Sequence, residues 1–119
     1  MSGSEDYARF AAIMSKHGYD WEAHKITTED DYILTTFHVL GKTGEDRVTA
    51  DKGSVLAMHG GYQDAANWLE GFYDSVPFHL QLADAGYDVW IGNNRGTEYS
   101  QGHKSLDAKT DGDFWKYSW

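Results

Sequence analysis

The sequence predicts an α/β fold made of an amino-terminal helix, a β-hairpin and one βαβ unit, with a sheet left incomplete. Three observations predict it. Tyr7, Phe10, Ala11 and Met14 recur at i, i+3, i+4 and i+7, the spacing of one helix face. Ile26 to Val39 is rich in β-branched and aromatic residues on either side of the acidic turn Glu29-Asp30-Asp31. Farther on, two short apolar runs, Ser54 to Met58 and Tyr87 to Ile91, flank a helical pattern, the order of a βαβ unit.

Each element carries its own signals. Ser4 is placed to cap the first helix, Glu5 and Asp6 fall in its first turn, and Gly18 stops it. The hairpin spans Trp21 to Leu40, and the polar stretch from Gly41 to Gly53 has no periodicity and reads as a loop. Ser54-Val55-Leu56-Ala57-Met58 reads as a buried strand ending on His59-Gly60-Gly61. Ser75 is placed to cap the second helix, with Pro77 in its first turn, Phe78, Leu82 and Ala85 on its apolar face and Gly86 closing it. Parallel sheets take helices on both faces, and so few helices cannot cover two. The aromatic run Phe114-Trp115-Lys116-Tyr117-Ser118-Trp119 would expose a large apolar area unless it folds back onto this chain's core or a partner covers it.

Composition narrows the function classes. Ten basic against 19 acidic residues give a net charge of −9, which argues against binding that rests on neutralising phosphates, so nucleic acid is not an expected partner. No run reaches the roughly 18 apolar residues of a membrane span, so no transmembrane segment is expected, and Met1 to Asp6 has neither a positive n-region nor an apolar h-region. Without cysteine there is no disulfide, thiolate site or cysteine nucleophile. Gly41-Lys42-Thr43 fails as a phosphate loop because Thr36 stands where the first glycine belongs. Asp107, Asp111 and Gly112 fail as a calcium loop because Lys109 takes a ligand position and Ser118 stands in place of the closing glutamate. His17, His24, His38, His59, His79 and His103 include no helical i, i+4 pair around a glutamate, so no metal is expected, and Gly60-Gly61 lacks the three spaced glycines of a dinucleotide site. No cofactor is expected. His59-Gly60-Gly61 has another use: a strand ending in His-Gly can aim a backbone N–H at developing charge on a carbonyl oxygen, though two glycines after a strand also simply make a turn.

Ala85-Gly86-Tyr87-Asp88-Val89-Trp90, Gly92-Asn93-Asn94-Arg95-Gly96, and then Phe114-Trp115-Lys116-Tyr117-Ser118-Trp119 resemble the acid lipase family of α/β-hydrolases, which includes gastric and lysosomal acid lipases and fungal steryl ester hydrolases. His17-Gly18-Tyr19, Ile26 to Leu34, His59-Gly60 and Asn67-Trp68 follow in the family's order, so the resemblance runs from about Phe10 to Trp119. It implies hydrolysis of triacylglycerols or steryl esters by a serine, a histidine and an acidic residue. It implies that Gly61 supplies an oxyanion-hole N–H, that His59 and Gly60 shape that loop, and that Arg95 is structural while Asn93, Asn94 and Gly96 serve the turn. A lysosomal, secreted or lipid-associated setting would accompany it.

The nucleophile elbow G-x-S-x-G is absent; Ser100 has Gly102 after it but Glu98 before it. In the resembled family the elbow, acid and base lie downstream of the aromatic run. Residues 1–119 are therefore expected to be the amino-terminal part of a hydrolase domain, inactive alone and acting on a lipid ester only when a downstream half completes it. Gly61 replaces the bulkier residue common after His-Gly, and Asp31 replaces a turn glycine, which is tolerable because Asp can enter the left-handed region. The competing expectation is a non-catalytic subunit of a larger assembly, its partner covering Phe114, Trp115 and Trp119; an unrelated α+β binding domain would make the whole resemblance accidental.

Overall fold

A computed structural model describes residues 7–45, 51–59, 77–97 and 99–117. The sequence readings at Ser4, Gly60, Gly61, Asn67, Trp68, Ser75 and Trp119 lie outside them.

Helix α1 spans Ala8–His17 and buries Phe10 and Met14. It ends where expected, on Gly18 at φ 77, whose N–H bonds back to the carbonyls of Met14 and Ser15. Its start differs from the expectation: the N-cap position is Tyr7, not Ser4, and the first turn holds no acidic residue. The reason is aromatic packing, since the Tyr7 ring lies edge-on to Trp21, Phe37 and Tyr99 at 6.0, 5.4 and 6.0 Å.

Strands β1 (Tyr19–Thr27) and β2 (Tyr32–Lys42) form the expected antiparallel hairpin. Its turn is closed by Thr28, whose hydroxyl oxygen accepts the Tyr32 N–H at 3.0 Å, and Asp31 occupies the left-handed region at φ 72. Strand β3 (Ser54–Ala57), helix α2 (Phe78–Asp84) and strand β4 (Asp88–Ile91) follow, and β3 and β4 are parallel. The mixed sheet runs β1-β2-β4-β3, with the two-residue β5 (Gly102–His103) also pairing with β2.

Two further details depart from the sequence reading. Strand β3 is not a buried strand: Leu56, paired with Trp90, is 63% exposed because it lies on the sheet face opposite the described helices. Helix α2 has Pro77, not Ser75, at its N-cap position, and it buries His79 and Leu80 while Phe78 and Ala85 are exposed. Leu80 is drawn inward by the cluster of Phe10, Met14, Phe37, Val39 and Val89.

That cluster lies on one face of the sheet, and both described helices pack there. The period of two along a strand sends the alternate side chains, Glu22, His24, Ile26, Leu34, Thr36, His38 and Trp90, to the other face. Near the end of the chain a 3-10 helix, Gly112–Trp115, carries Phe114 into full burial against Tyr32 and His103, and the Tyr32 hydroxyl donates to the Phe114 carbonyl. Phe114 is thus covered by its own chain, one of the two alternatives for the aromatic run, whereas Trp115 stays 47% exposed.

Candidate functional site

Parallel strands β3 and β4 end side by side at Ala57 and Ile91, so the loops that leave them start as neighbours. Ligands of open α/β sheets bind at such carboxyl ends. His59, two residues past β3, is 7% exposed, and its Nε2 accepts the Asn94 N–H at 3.0 Å. Accepting at Nε2 puts the ring proton of the neutral imidazole on Nδ1. The contact ties the β3 loop to the β4 loop across 35 residues of sequence. Gly60 and Gly61, which follow His59, are outside the described residues.

The β4 loop is held from three sides. Asn93 is 2% exposed; its amide donates to the Thr35 carbonyl at 3.0 Å, and its own carbonyl accepts the Ser100 hydroxyl at 2.9 Å. The Ser100 oxygen in turn accepts the Thr35 N–H at 2.9 Å, which gives β2 a polar partner where its ladder lacks one. Ser100 is fully buried with its hydroxyl engaged by backbone at both ends, the arrangement of a structural serine. The Asn94 carbonyl accepts both the N–H and the hydroxyl of Thr97, at 3.2 and 2.6 Å.

Arg95 spans the outside of this loop. Its Nη1 lies 2.6 Å from Asp30 Oδ2 in the hairpin turn, and its guanidinium sits over the rings of Tyr32 and Tyr117 at 4.9 and 5.6 Å. The Thr28 hydroxyl, and then Arg95, hold the Asp30 carboxyl below the usual carboxylate range. Burial pushes the Tyr117 phenol up, so it stays protonated and donates to the Arg95 carbonyl at 3.0 Å. Gly96 completes the turn at φ 82; a Cβ there would strike the Tyr117 hydroxyl and the Trp115 ring. Sequence reading pointed to Asn93, Asn94, Arg95 and Gly96 but missed Thr35, Ser100 and Tyr117, which reach the loop from distant positions and leave no local pattern.

On the face away from the helices, a cavity of about 470 Å³ opens beside these strand ends, lined by Leu34, Thr36, Leu56, Met58, Trp90 and Asn94 among others. No described helix is long and apolar enough to cross a membrane.

Comparison with known proteins gives a consistent result. The family model described as a partial alpha/beta-hydrolase lipase region matches residues 10–71, more than half of the chain. The chain is similar to lipase member K of Mus musculus, with 37% identity over 119 residues, which are 100% of this chain and 29% of that protein. It is 39% identical to lipase member N of Homo sapiens over 114 residues, 96% of this chain and 28% of the relative. A tear acid lipase-like protein of Mesocricetus auratus is 35% identical over 114 residues, again 96% of this chain and 28% of the relative. The chain therefore spans under a third of the length of the curated relatives it matches.

Proposed function

The chain belongs to the α/β-hydrolase lipase family, and from that premise we propose that residues 1–119 are the amino-terminal part of a lipid ester hydrolase domain, bringing the oxyanion loop but not the nucleophile. The observation that carries the reading is the His59–Asn94 contact, which fixes the end of β3 next to the β4 loop at the carboxyl edge of the parallel strands. In this reading Gly61, just beyond that anchor, offers its N–H to the carbonyl oxygen of a triacylglycerol or steryl ester as the tetrahedral intermediate forms. His59 and Gly60 set the path of the loop. Asn93, Asn94 and Arg95 act as positioning residues, since their side chains and backbone are committed to Thr35, Thr97, Asp30 and the two tyrosines.

No serine in the sequence stands in a G-x-S-x-G elbow, and Ser100 is buried with its hydroxyl bonded to backbone. Attack on the ester accordingly requires a serine outside these residues, with its histidine and acidic partner. The test is a pair of substitutions in the catalytically complete protein. Gly61→Pro removes the N–H and is expected to lower kcat by about 10²- to 10³-fold; Gly61→Ala keeps it and is expected to retain most of kcat. Equal loss in both, or none in Gly61→Pro, would contradict the oxyanion role.

A further inference from the structure

Among the described residues, the helix-free face of the sheet carries a group of ligating side chains that the lipase reading does not use. Glu22 and His24 stand two apart on β1 and so share a face, and His38 on β2 is the direct cross-strand partner of Glu22. One atom from each lies within 4.8 Å of the others. Glu22 Oε1 is 2.8 Å from His24 Nε2 and 3.3 Å from His38 Nδ1.

The second ring nitrogen of His38 has a carboxylate behind it. Its Nε2 is 2.6 Å from Asp88 Oδ1, and Asp88 is held by the Trp90 indole N–H, which donates to Oδ2 at 3.0 Å. Nδ1 of the same ring is thereby aimed at Glu22 Oε1, 3.3 Å away. A carboxylate behind the far nitrogen of a histidine is the usual outer support of a metal-bound imidazole. The His38 ring is further fixed by stacking on Trp90, at 3.9 Å and 6°. Glu22 and His24 have side chains 49% and 42% exposed, so both can adjust to an ion.

The geometry points to a zinc site formed by Glu22 Oε1, His24 Nε2 and His38 Nδ1, with Asp88 as its outer carboxylate and water completing a tetrahedron. Imidazole and carboxylate ligands suit a borderline ion such as zinc, and the roughly 2.0–2.2 Å bonds of a tetrahedral site set ligand atoms about 3.4 Å apart, so Glu22 Oε1 and His24 Nε2, hydrogen-bonded at 2.8 Å, must move apart to take the ion. Cross-strand placement explains why a search for helical His pairs overlooks it. The ion would link β1 to β2 directly and to β4 through Asp88, beside the cavity that Trp90 also lines.

The test is calorimetric titration of the full chain with zinc chloride at neutral pH, with cobalt(II) as a spectroscopic substitute. One zinc per chain and the ligand-field bands of four-coordinate cobalt are expected. His24→Ala and Glu22→Gln, at a half-buried and an exposed strand position, are expected to abolish the bands and weaken zinc at least tenfold, and Asp88→Asn to weaken it about 10- to 100-fold. His17→Ala, remote on α1, is expected to leave affinity unchanged. Absence of zinc binding would overturn the site, as would binding insensitive to His24→Ala and Glu22→Gln in correctly folded variants. So would nitrogen NMR that finds His38 protonated at both nitrogens at neutral pH and unmoved by zinc, since an imidazolium between two carboxylates would then explain the geometry.

Discussion

At the scale of single residues, the loop after β4 is tied to β2 by a few buried hydrogen bonds. Ser100 serves the Thr35 N–H and the Asn93 carbonyl at once in a fully buried position. Ser100→Ala leaves both without that partner, and each orphaned buried polar group costs about 1–3 kcal/mol. Chemical denaturation should therefore find Ser100→Ala less stable by about 2–4 kcal/mol; an unchanged midpoint would mean the network is not what holds the loop. His79 brings a pH dependence. It is fully buried, and burial pushes its pKa down from 6.5 to about 4. The unfolded chain therefore binds a proton near pH 6.5 that the folded chain refuses until about pH 4. The contribution is fully present above pH 6.5 and is lost as the pH falls through that window, by up to about 3 kcal/mol. In stability curves measured from pH 7 to pH 4, His79→Gln should flatten this part of the slope; an unaltered slope would exclude His79 as its source.

At the scale of elements, what was readable in the sequence was what local chemistry decides. Helix α1 follows from the spacing of Phe10 and Met14 and from the left-handed Gly18, and the hairpin follows from β-branched runs around a turn where Asp31 takes positive φ. The readings that failed turn on neighbours. Tyr7 leaves the helix for an aromatic cluster formed with Trp21, Phe37 and Tyr99, and Leu80 outcompetes Phe78 for the core because Met14 and Val89 wait there. Likewise His59 and Asn94, or Arg95 and Asp30, meet across 35 and 65 residues, distances over which no spacing rule operates. The hinge of the element packing is Phe10, stacked on Phe37 at 3.8 Å and fully buried. Phe10→Ala is expected to cost about 3–5 kcal/mol and to release α1 from β1, seen as loss of near-ultraviolet circular dichroism and faster amide exchange in α1. Gly96→Ala should destabilise the turn that Tyr117 and Trp115 close against, by about 1–3 kcal/mol from the strained φ; a neutral effect would show that the turn adapts.

At the scale of the whole molecule, one sheet face is packed by α1 and α2, and the other carries Ile26, Leu56 and Met58 at 47%, 63% and 37% exposure. A sheet with parallel pairing is normally covered on both faces, and the chain spans 29% of a relative such as lipase member K of Mus musculus. Both facts agree with a domain whose chemistry is assembled from this region and another. The most direct test of that account is labelling with a fluorophosphonate serine probe, followed by mapping of the modified peptide, on the 119-residue chain and on a catalytically complete protein that contains it. The account predicts no modified serine and no ester turnover in the chain itself, and a single modified serine outside residues 1–119 in the complete protein. Stoichiometric modification of any serine within the chain, Ser100 included, would contradict it.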